Sequence, residues 1–332
     1  MDIRLGTITL TPPVFLAPLA GITDLPFRDV VASFGAGLVV SEMIASQDLL
    51  NAKPGVREKA ELGFGVAGTS VQIAGCEAYW MAEAAKMAAG NGAQIIDINM
   101  GCPAKKVTSS SGAGASGSAL LRDLDHALTL IEAVVDAVDV PVTLKTRLGW
   151  DDELLNAPDL ATRAEAAGIQ MLTIHGRTRC QFYKGTADWA AIAQVKSAVK
   201  IPVIANGDIV DAASARRALD LSGADGVMMG RGVQGRPWLL AEVAAALYGT
   251  PVPKIPTGQD FIDLVSDHYR AILAFYGEDL GLRVARKHLG WYMDNVNTNK
   301  MLRNRILTAR SSREVLALLP DALSLDDSRS AA

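Results

Sequence analysis

Eight short runs of apolar residues, many of them β-branched, recur along the chain and are separated by amphipathic stretches. Runs that are apolar at successive positions are typical of strands buried on both faces, as in a parallel sheet. Eight such runs alternating with helices favour a closed (β/α)8 barrel (a TIM barrel) over an open doubly wound sheet. The runs are Val14–Ala17, Leu38–Ser41, Ser70–Ile73, Ile95–Asn99, Val142–Thr146, Met171–His175, Val203–Asn206 and Gly226–Met229.

The alternation ends near residue 248, which predicts a second domain. Residues 249–257 contain three prolines, which block helix continuation, and are predicted to be a linker. The pattern of residues 258–325 is helical and predicts a small all-helical C-terminal domain. The polar residues 326–332 are predicted to form a flexible tail. The barrel is therefore expected to occupy residues 1–248.

Composition narrows the class of protein. Of 332 residues, 49% are hydrophobic, which is enough for a large core, and the net charge of −4 argues against nonspecific coating of nucleic acid. We find no signal peptide and no apolar run of membrane-spanning length. Three scattered cysteines, Cys76, Cys102 and Cys180, fit a reducing compartment better than a disulfide framework or a metal site. We expect a cytoplasmic protein without membrane association, and no obligate protein partner is apparent.

The carboxyl ends of the strands are where (β/α)8 enzymes place their active sites. Polar or glycine-bearing segments follow most of the predicted strands at that end. They are Ala17-Pro18-Leu19, Gln72, Asn99 and Cys102, Lys145 and Arg147, His175 and Arg177, Asn206-Gly207-Asp208, and Gly230-Arg231-Gly232.

The last two of these segments favour a phosphate site. Barrels often bind phosphate with the loops after strands seven and eight. Glycine allows backbone N–H groups to approach phosphate oxygens, and Arg231 would add charge-assisted hydrogen bonds. The alternative is that the glycines only form tight turns, but two such loops in the expected places favour phosphate binding.

Lys145 permits three interpretations. A lysine that points into a barrel is uncommon unless it is paired or functional. It could form a Schiff base with a substrate carbonyl, or place a positive charge beside a flavin ring, or form a structural ion pair with a carboxylate.

Cys102 and His175 are the other candidates for chemistry. Free cysteine is usually a small buried hydrophobe, but Cys102 lies in the longest strand-to-helix loop, beside the Gly/Ser-rich segment Thr108–Gly117. A free thiol with an ordinary pKa of about 8.5 is mostly protonated at neutral pH and can donate a proton. His175 could act as a base or as a hydrogen-bond donor. No second histidine lies near it in sequence, so we expect no metal site.

Several motifs together resemble the tRNA-dihydrouridine synthase family. The segments around Cys102 and Trp291 are most similar to the bacterial B-type subgroup. The motifs are Leu16–Asp24, Gln72–Gly75, Asp97–Pro103, Thr173–Arg177, Ile204–Ile209, Arg286–His288 and Trp291-Tyr292.

The resemblance implies an enzyme that uses FMN and NADPH to reduce the C5–C6 double bond of selected uridines in the tRNA D-loop. It implies hydride transfer from flavin N5 to C6 and protonation of C5 by Cys102, with Asn99 holding the uracil. Position 19 is Leu where the family commonly has Met, a volume-conserving change. The residues that match the family's FMN contacts are Ala17, Pro18, Leu19, Gln72, Lys145, His175, Asn206, Gly207, Asp208, Gly230 and Arg231.

The helical domain carries a charge pattern that favours an RNA partner. Between Gly281 and Arg313 lie eight basic residues and one acidic residue, a local net charge of +7. Binding to the phosphate backbone needs such a patch, although a helix face paired with acidic neighbours is the alternative. We expect Arg177, Arg283, Arg286 and Lys287 to contact tRNA; the last three are spaced to share one helix face.

Three other functions remain open from the sequence. One is a flavin barrel that acts on a small molecule, as dihydroorotate dehydrogenases do. Another is a flavin-free phosphosugar lyase that uses Lys145 as a Schiff base. The third is a tRNA-binding chaperone without catalytic activity. The sequence leaves open which uridine is reduced, whether NADPH is preferred over NADH, and the oligomeric state.

Overall fold

The computed structural model describes residues 2–51, 69–109 and 115–324. The predicted tail 326–332 and the middle of the Thr108–Gly117 segment lie outside these described residues. No helix in the described part of the chain is long and apolar enough to cross a bilayer. The chain divides into two compact units, a barrel unit of residues 1–232 with 240–251 and a helical unit of residues 233–239 with 252–332.

Eight parallel strands close into a barrel, which confirms the predicted (β/α)8 fold. The first strand pairs with both the second and the eighth, so that the sheet has no open edge between them. All eight predicted runs form strands of this barrel. In chain order the strands are Val14–Leu16, Leu38–Val40, Thr69–Ala74, Ile95–Met100, Val142–Arg147, Met171–His175, Val203–Asn206 and Gly226–Met229.

Two short features were not predicted. Ile3–Leu5 and Ile8–Leu10 form an antiparallel hairpin whose turn contains Gly6 at φ +55°. The hairpin's apolar residues cluster with Ile95 and Met171, the first residues of strands four and six, so it covers the amino-terminal end of the barrel. A two-residue strand, Ile44–Ala45, extends the pairing of strand three. The barrel is therefore closed at the end opposite the polar strand termini.

Helices surround the barrel between successive strands. Four of them begin at an aspartate whose side chain accepts a hydrogen bond from the helix's own backbone N–H, which stabilises a helix start. The helices are Leu25–Ser33, Ser46–Leu50, Ala78–Gly90, Lys105–Thr108, Leu124–Val135, Ala157–Ala166, Trp189–Ala198, Ala212–Ser222 and Leu239–Tyr248, with 3-10 turns at Gly117–Arg122 and Arg231–Val233.

The helical unit contains four helices, Gly258–Tyr276, Glu278–Asn295, Lys300–Thr308 and Ser312–Leu323. Its core is aromatic: the ring of Phe261 lies edge-on to those of Trp238 and Tyr292, at centroid distances of 5.9 and 6.0 Å. Trp238 belongs to residues 233–239, which group with this unit although they precede the predicted boundary at residue 248. Trp238, which follows the last barrel strand in sequence, thus packs in the core of the helical unit.

Candidate active site

The strand register brings the polar residues to one level of the barrel. In the sheet, Asn99 is the direct neighbour of Lys145, and His175 is the direct neighbour of both Arg147 and Asn206. Parallel strands in register carry equivalent residues to the same end, so residues far apart in sequence surround one opening.

The turn that carries Cys102 is held by side chains on all sides. Asn99 Oδ1 accepts from the backbone N–H of Gly101 at 3.1 Å and of Cys102 at 2.9 Å. Arg147 Nε donates to the carbonyl of Gly101 at 2.7 Å, and the Ser118 hydroxyl donates to the carbonyl of Cys102 at 2.8 Å. The Cys102 side chain is half-buried. The backbone of the turn is thus fixed around a half-buried cysteine.

The Gly/Ser-rich segment begins and ends close to this turn. A Cβ on Gly117, which has φ +57°, would lie 2.8 Å from the carbonyl oxygen of Cys102, so the close approach requires glycine. At the other end, Arg179 Nη2 donates to Thr108 Oγ1 at 3.1 Å. The described ends of the segment are therefore anchored beside the candidate site.

Beneath the Cys102 turn, the side chain of Asn99 continues into a buried hydrogen-bonded chain. Asn99 Nδ2 donates to Gln72 Oε1 at 2.7 Å, and Gln72 Nε2 donates to Asp97 Oδ2 at 2.7 Å. Thr143 Oγ1 donates to Asp97 Oδ1 at 2.6 Å. Asp97 and Thr143 were not among the predicted site residues. The available signal was a carboxylate in the middle of the apolar run Ile95–Asn99.

Lys145 faces this same region from strand five. Desolvation, together with the charge of Arg147, lowers the pKa of Lys145 to about 8, against smaller opposing effects of Asp97 and Cys102. Among the described residues no carboxylate forms an ion pair with its ammonium group, which removes the structural ion pair from the three interpretations. A half-buried amine without a counter-ion suits an anionic ligand.

His175 is held as a neutral imidazole. Burial lowers its pKa well below the ordinary value, and the charges of Lys145, Arg147 and Arg177 act in the same direction. Its Nε2 lies 3.3 Å from Arg177 Nη1. Because a guanidinium only donates, Nε2 is the acceptor there and the proton lies on Nδ1.

The two predicted phosphate turns lie side by side, because strands seven and eight are paired. Gly207 has φ +110°, and a Cβ at this position would lie 2.8 Å from His175 Cδ2. At Gly230 the same addition would meet only Leu19 and Ala17, at 3.6 and 3.8 Å. Gly230 therefore lies in ordinary van der Waals distance of the loop after strand one, where Ala17 N–H donates to the carbonyl of Met229 at 2.8 Å.

The turns are linked by a network of ion pairs. Asp208 Oδ1 and Oδ2 accept from Arg177 Nη1 and Nη2 at 3.0 and 2.6 Å, and Arg231 Nη2 lies 3.9 Å from Asp208 Oδ1. Burial alone would raise the pKa of Asp208, but the hydrogen bonds from Arg177 and the Ala187 N–H and the neighbouring positive charges outweigh it and lower the pKa. The carboxylate therefore stays ionised, and Arg177 balances its charge.

Arg177 does not occupy the position expected of a tRNA contact. Its side chain is 2% exposed, and besides Asp208 it donates to the carbonyls of Lys184 and Gly185, at 3.0 and 2.7 Å. These donors are engaged inside the barrel unit, so Arg177 positions the phosphate turn. An exposed aromatic residue that we did not select, Tyr183, instead faces solvent between Arg147 and Arg231, each with Cζ 5.5 Å from its ring centroid.

The helical unit presents basic residues on the helix Glu278–Asn295. Arg283 and Arg286 are exposed on this helix, and Lys287 is half-buried beside Arg286. Farther along the unit, Arg303 pairs with Asp294 at 2.9 Å and Arg305 pairs with Glu314 at 3.2 Å. These two ion pairs offset part of the excess of positive charge that was counted from the sequence between Gly281 and Arg313. The positive charge of the unit is concentrated on exposed residues outside them, namely Arg283, Arg286, Lys300, Arg310 and Arg313.

Comparisons with known proteins agree with this arrangement. The family model for dihydrouridine synthase (Dus) matches residues 15–326. A Rhodobacter capsulatus protein described as "Probable tRNA-dihydrouridine synthase" is 64% identical over 326 residues, covering 98% of both chains. The tRNA-dihydrouridine synthase B of Vibrio vulnificus is 48% identical over 295 residues, covering 87% of this chain and 89% of its own.

Solved structures support the fold alone. Morphinone reductase superimposes with a TM-score of 0.54 at 15% identity, covering 76% of this chain and 90% of that one. A 2-naphthoyl-CoA reductase superimposes with a TM-score of 0.57 at 15% identity, covering 76% and 53%. The resemblance seen in the sequence motifs is confirmed by the family match and the full-length relatives. The chain belongs to the dihydrouridine synthase family.

Proposed function

We propose that the chain is a cytoplasmic FMN-dependent tRNA-dihydrouridine synthase, which reduces the C5–C6 double bond of specific uridines in the tRNA D-loop with NADPH as reductant. The observation that carries the proposal is the fixed turn of the half-buried Cys102, at the end of the barrel where Lys145 and His175 also lie. The relatives named tRNA-dihydrouridine synthase support the substrate class.

The residues at the strand ends fit the phosphate of FMN. The turns at Asn206–Asp208 and Gly230–Gly232 lie on adjacent strands, and Gly207 has a conformation that a side chain would obstruct. Backbone N–H groups of such turns bind anions, and Arg231 adds a mobile positive charge. Since Asp208 is already neutralised by Arg177, it does not oppose a phosphate as a free carboxylate would.

The remaining FMN-binding residues would contact the flavin ring. Ala17, Pro18 and Leu19 follow strand one next to Gly230, and Gln72 and Lys145 lie on strands three and five. A positive charge near the ring stabilises its anionic reduced form. The chemistry that bound FMN supplies is hydride transfer to C6 of the uracil ring. Lys145 serves this chemistry as a fixed charge without forming a covalent bond.

Cys102 is proposed to deliver the proton to C5 of the uracil ring. The C5–C6 double bond is reduced by one hydride and one proton, and the thiol supplies the proton from the protein side. Holding the donor in a rigid turn contributes proximity and orientation. Asn99 adjoins the same opening and is proposed to hold the uracil.

The basic residues of the helical unit are proposed to bind tRNA phosphates. Arg283, Arg286 and Lys287 lie on one helix, at spacings that place them on one face. Contacts of this kind position a nucleic acid without reading its sequence. The target uridine must then leave its stack to enter a barrel mouth, as bases do in other base-modifying enzymes.

The test is to map dihydrouridine in tRNA from cells with and without this protein. We expect loss of dihydrouridine at one or a few D-loop positions, restored by the full chain and by Cys180→Ala but not by Cys102→Ala. Both cysteines follow barrel strands, and Cys180 is exposed, which makes it a matched control. Purified protein should be yellow and should bleach with NADPH. Unchanged dihydrouridine at every position would refute the proposal.

The alternatives give different results in the same preparation. A phosphosugar lyase would be colourless and would be trapped by borohydride at Lys145 in the presence of its sugar phosphate. A small-molecule flavin reductase would keep full turnover when Arg283 and Lys287 are changed to Glu. A tRNA-binding chaperone would bind tRNA without forming dihydrouridine under any condition.

A further inference from the structure

Four buried polar side chains form a continuous hydrogen-bonded relay beneath the Cys102 turn. The relay consists of Thr143, Asp97, Gln72 and Asn99, which are 2%, 5%, 0% and 8% exposed. It crosses strands five, four and three before returning to strand four, and each link is between 2.6 and 2.7 Å. A buried network in which every link is short and satisfied favours one arrangement of its members.

The direction of the hydrogen bonds in the relay is determined at its upper end, where Asn99 meets the Cys102 turn. The backbone N–H groups of Gly101 and Cys102 only donate, so the group that faces them must be the carbonyl oxygen of Asn99. The amide of Asn99 then presents its NH2 to Gln72. Gln72 must accept with its own carbonyl oxygen and donate with its NH2 toward Asp97.

The lower end of the relay requires an acceptor, and Asp97 supplies it. One carboxylate oxygen accepts from Gln72 and the other accepts from Thr143. Burial raises the pKa of Asp97, while the hydrogen bonds from Thr143 and Gln72 and the charge of Lys145 act in the opposite direction. Because both of its oxygens accept, the carboxyl group holds Gln72 in the orientation that the upper end needs. Were Gln72 to rotate its amide, its NH2 would oppose the NH2 of Asn99, and Asn99 would have to release the Cys102 turn.

We propose that Asp97 is a positioning residue for the Cys102 thiol, acting through the amides of Gln72 and Asn99. Asp97 does not contact the turn, and the amide that does is two residues farther along the same strand. The catalytic meaning of this inference rests on the proposed function, but the geometry can be tested without turnover.

Exchanging the amide and carboxyl groups of residues 72 and 97 tests the direction of the relay's hydrogen bonds while its packing is kept. Gln72→Glu alone places two buried carboxyl groups face to face, which raises the pKa of one of them and, above that pKa, breaks the link to Asp97. Adding Asp97→Asn restores the link in reverse, because the new amide can donate to the new carboxylate. That carboxylate still accepts from Asn99, and the new amide oxygen still accepts from Thr143. Every hydrogen bond above Gln72 is then retained with no change in net charge relative to the parent.

The readout is the alkylation rate of Cys102 by iodoacetamide in the full chain. Cys76→Ser and Cys180→Ser in all proteins leave Cys102 as the one remaining thiol of the three. Loosening the turn should expose the thiol, so we expect Gln72→Glu to raise the rate by about fivefold or more. The double variant should return to within about twofold of the parent. Flavin content is measured in parallel because Gln72 belongs to the proposed flavin site.

Turnover gives a second readout. Because Gln72 belongs to the proposed flavin site, turnover is compared in Thr143→Val, where misplacing the thiol should lower kcat per bound flavin by about twofold and leave the KM for tRNA unchanged. Thr143→Val, which keeps the shape of the side chain and removes the outermost link, should raise the alkylation rate by about twofold. Thr143→Val replaces Gln72→Glu in the alkylation experiment if Gln72→Glu does not fold.

An unchanged alkylation rate in Gln72→Glu, or a double variant no closer to the parent than the single one, would overturn the inference. If only Thr143→Val folds, an unchanged rate in that variant would overturn it. Failure of the proposed function looks different: the parent would form no dihydrouridine, while the alkylation rates would still follow the swap.

Discussion

The Cys102 turn and the basic helix of the helical unit, Glu278–Asn295, hold their functional groups in opposite ways. Asn99, Arg147 and Ser118 fix the backbone around Cys102. On the helix, Arg283 and Arg286 are exposed and form no ion pair with any described residue. A proton donor must be placed to within about 0.5 Å, whereas attraction of phosphates acts over a Debye length of about 8 Å. The proposed proton donor therefore needs rigid placement, whereas exposed arginines can attract phosphates without it.

The largest expected effect comes from removing the group that the rigid turn presents. Cys102→Ala should lower the turnover of bound tRNA by about 10²- to 10⁴-fold, because protonation of C5 would then depend on water. Flavin content and tRNA affinity should stay near those of the parent. Single-turnover kinetics with purified tRNA measures this, and Cys180→Ala provides the control. Normal turnover in Cys102→Ala would remove the thiol from the mechanism.

The basic helix should show the converse behaviour. Arg283→Glu with Arg286→Glu should weaken tRNA binding by about 30-fold and lower the slope of log affinity against log salt by about 2, because two phosphate contacts are lost. The chemical step should be unaffected at saturating tRNA.

A matched control for this change is Arg270→Glu, an exposed arginine of the same unit that pairs with Asp267 at 2.8 Å. It should leave both the affinity and the salt slope near those of the parent. If it weakens binding as much as the double reversal does, the effect is one of net charge and the basic helix has no special role.

On the buried side of the helix Glu278–Asn295, His288 packs edge-on against His268 at a centroid distance of 5.0 Å. Burial lowers the pKa of His268 to about 3, and burial with the charges of His268 and Lys287 lowers that of His288 well below its ordinary value. In the unfolded chain both titrate near 6.5, so acidification adds protons to the unfolded state first and stability is lost as pH falls.

From pH 7 to pH 6 each histidine should cost about 0.7 kcal/mol of unfolding free energy. Denaturant unfolding of the full chain at several pH values measures this, with His268→Gln and His288→Gln as comparisons. Each substitution should reduce the pH dependence. His175 in the barrel contributes in the same direction and remains in both variants. A pH dependence that persists undiminished in both variants would contradict the expectation.

A further prediction concerns crowding at the turn Asn206–Asp208. Gly207→Ala should destabilise the chain by about 1 kcal/mol more than Gly185→Ala. Both glycines have positive φ, but only the Cβ at residue 207 would meet a neighbour, 2.8 Å away at His175. Thermal unfolding measures the difference, and flavin release should be faster in Gly207→Ala. Equal destabilisation would show that backbone conformation alone accounts for both.

The barrel could be predicted because each strand is a short, mostly apolar run, such as Gly226–Met229, which is typical of a strand buried on both faces. The sequence did not predict the hairpin at Ile3–Leu10, whose strands have three residues each and become stable only against the barrel floor. It also did not predict that the side chain of Arg177 is buried. A basic residue just after a strand reads as solvent-facing, and its burial depends on Asp208, 31 residues away.

The sequence by itself determined the alternation of strands and helices, the polar strand ends, and the surplus of positive charge after residue 281, because local pattern and composition carry these. Only the tertiary structure decided how the side-chain amides of Gln72 and Asn99 are oriented. It also decided that Asp97 accepts below the Cys102 turn and that Arg177 neutralises Asp208. Hydrogen bonds of this kind depend on distances of tenths of an ångström between separate strands. Such distances exist only after the barrel closes and its register is set.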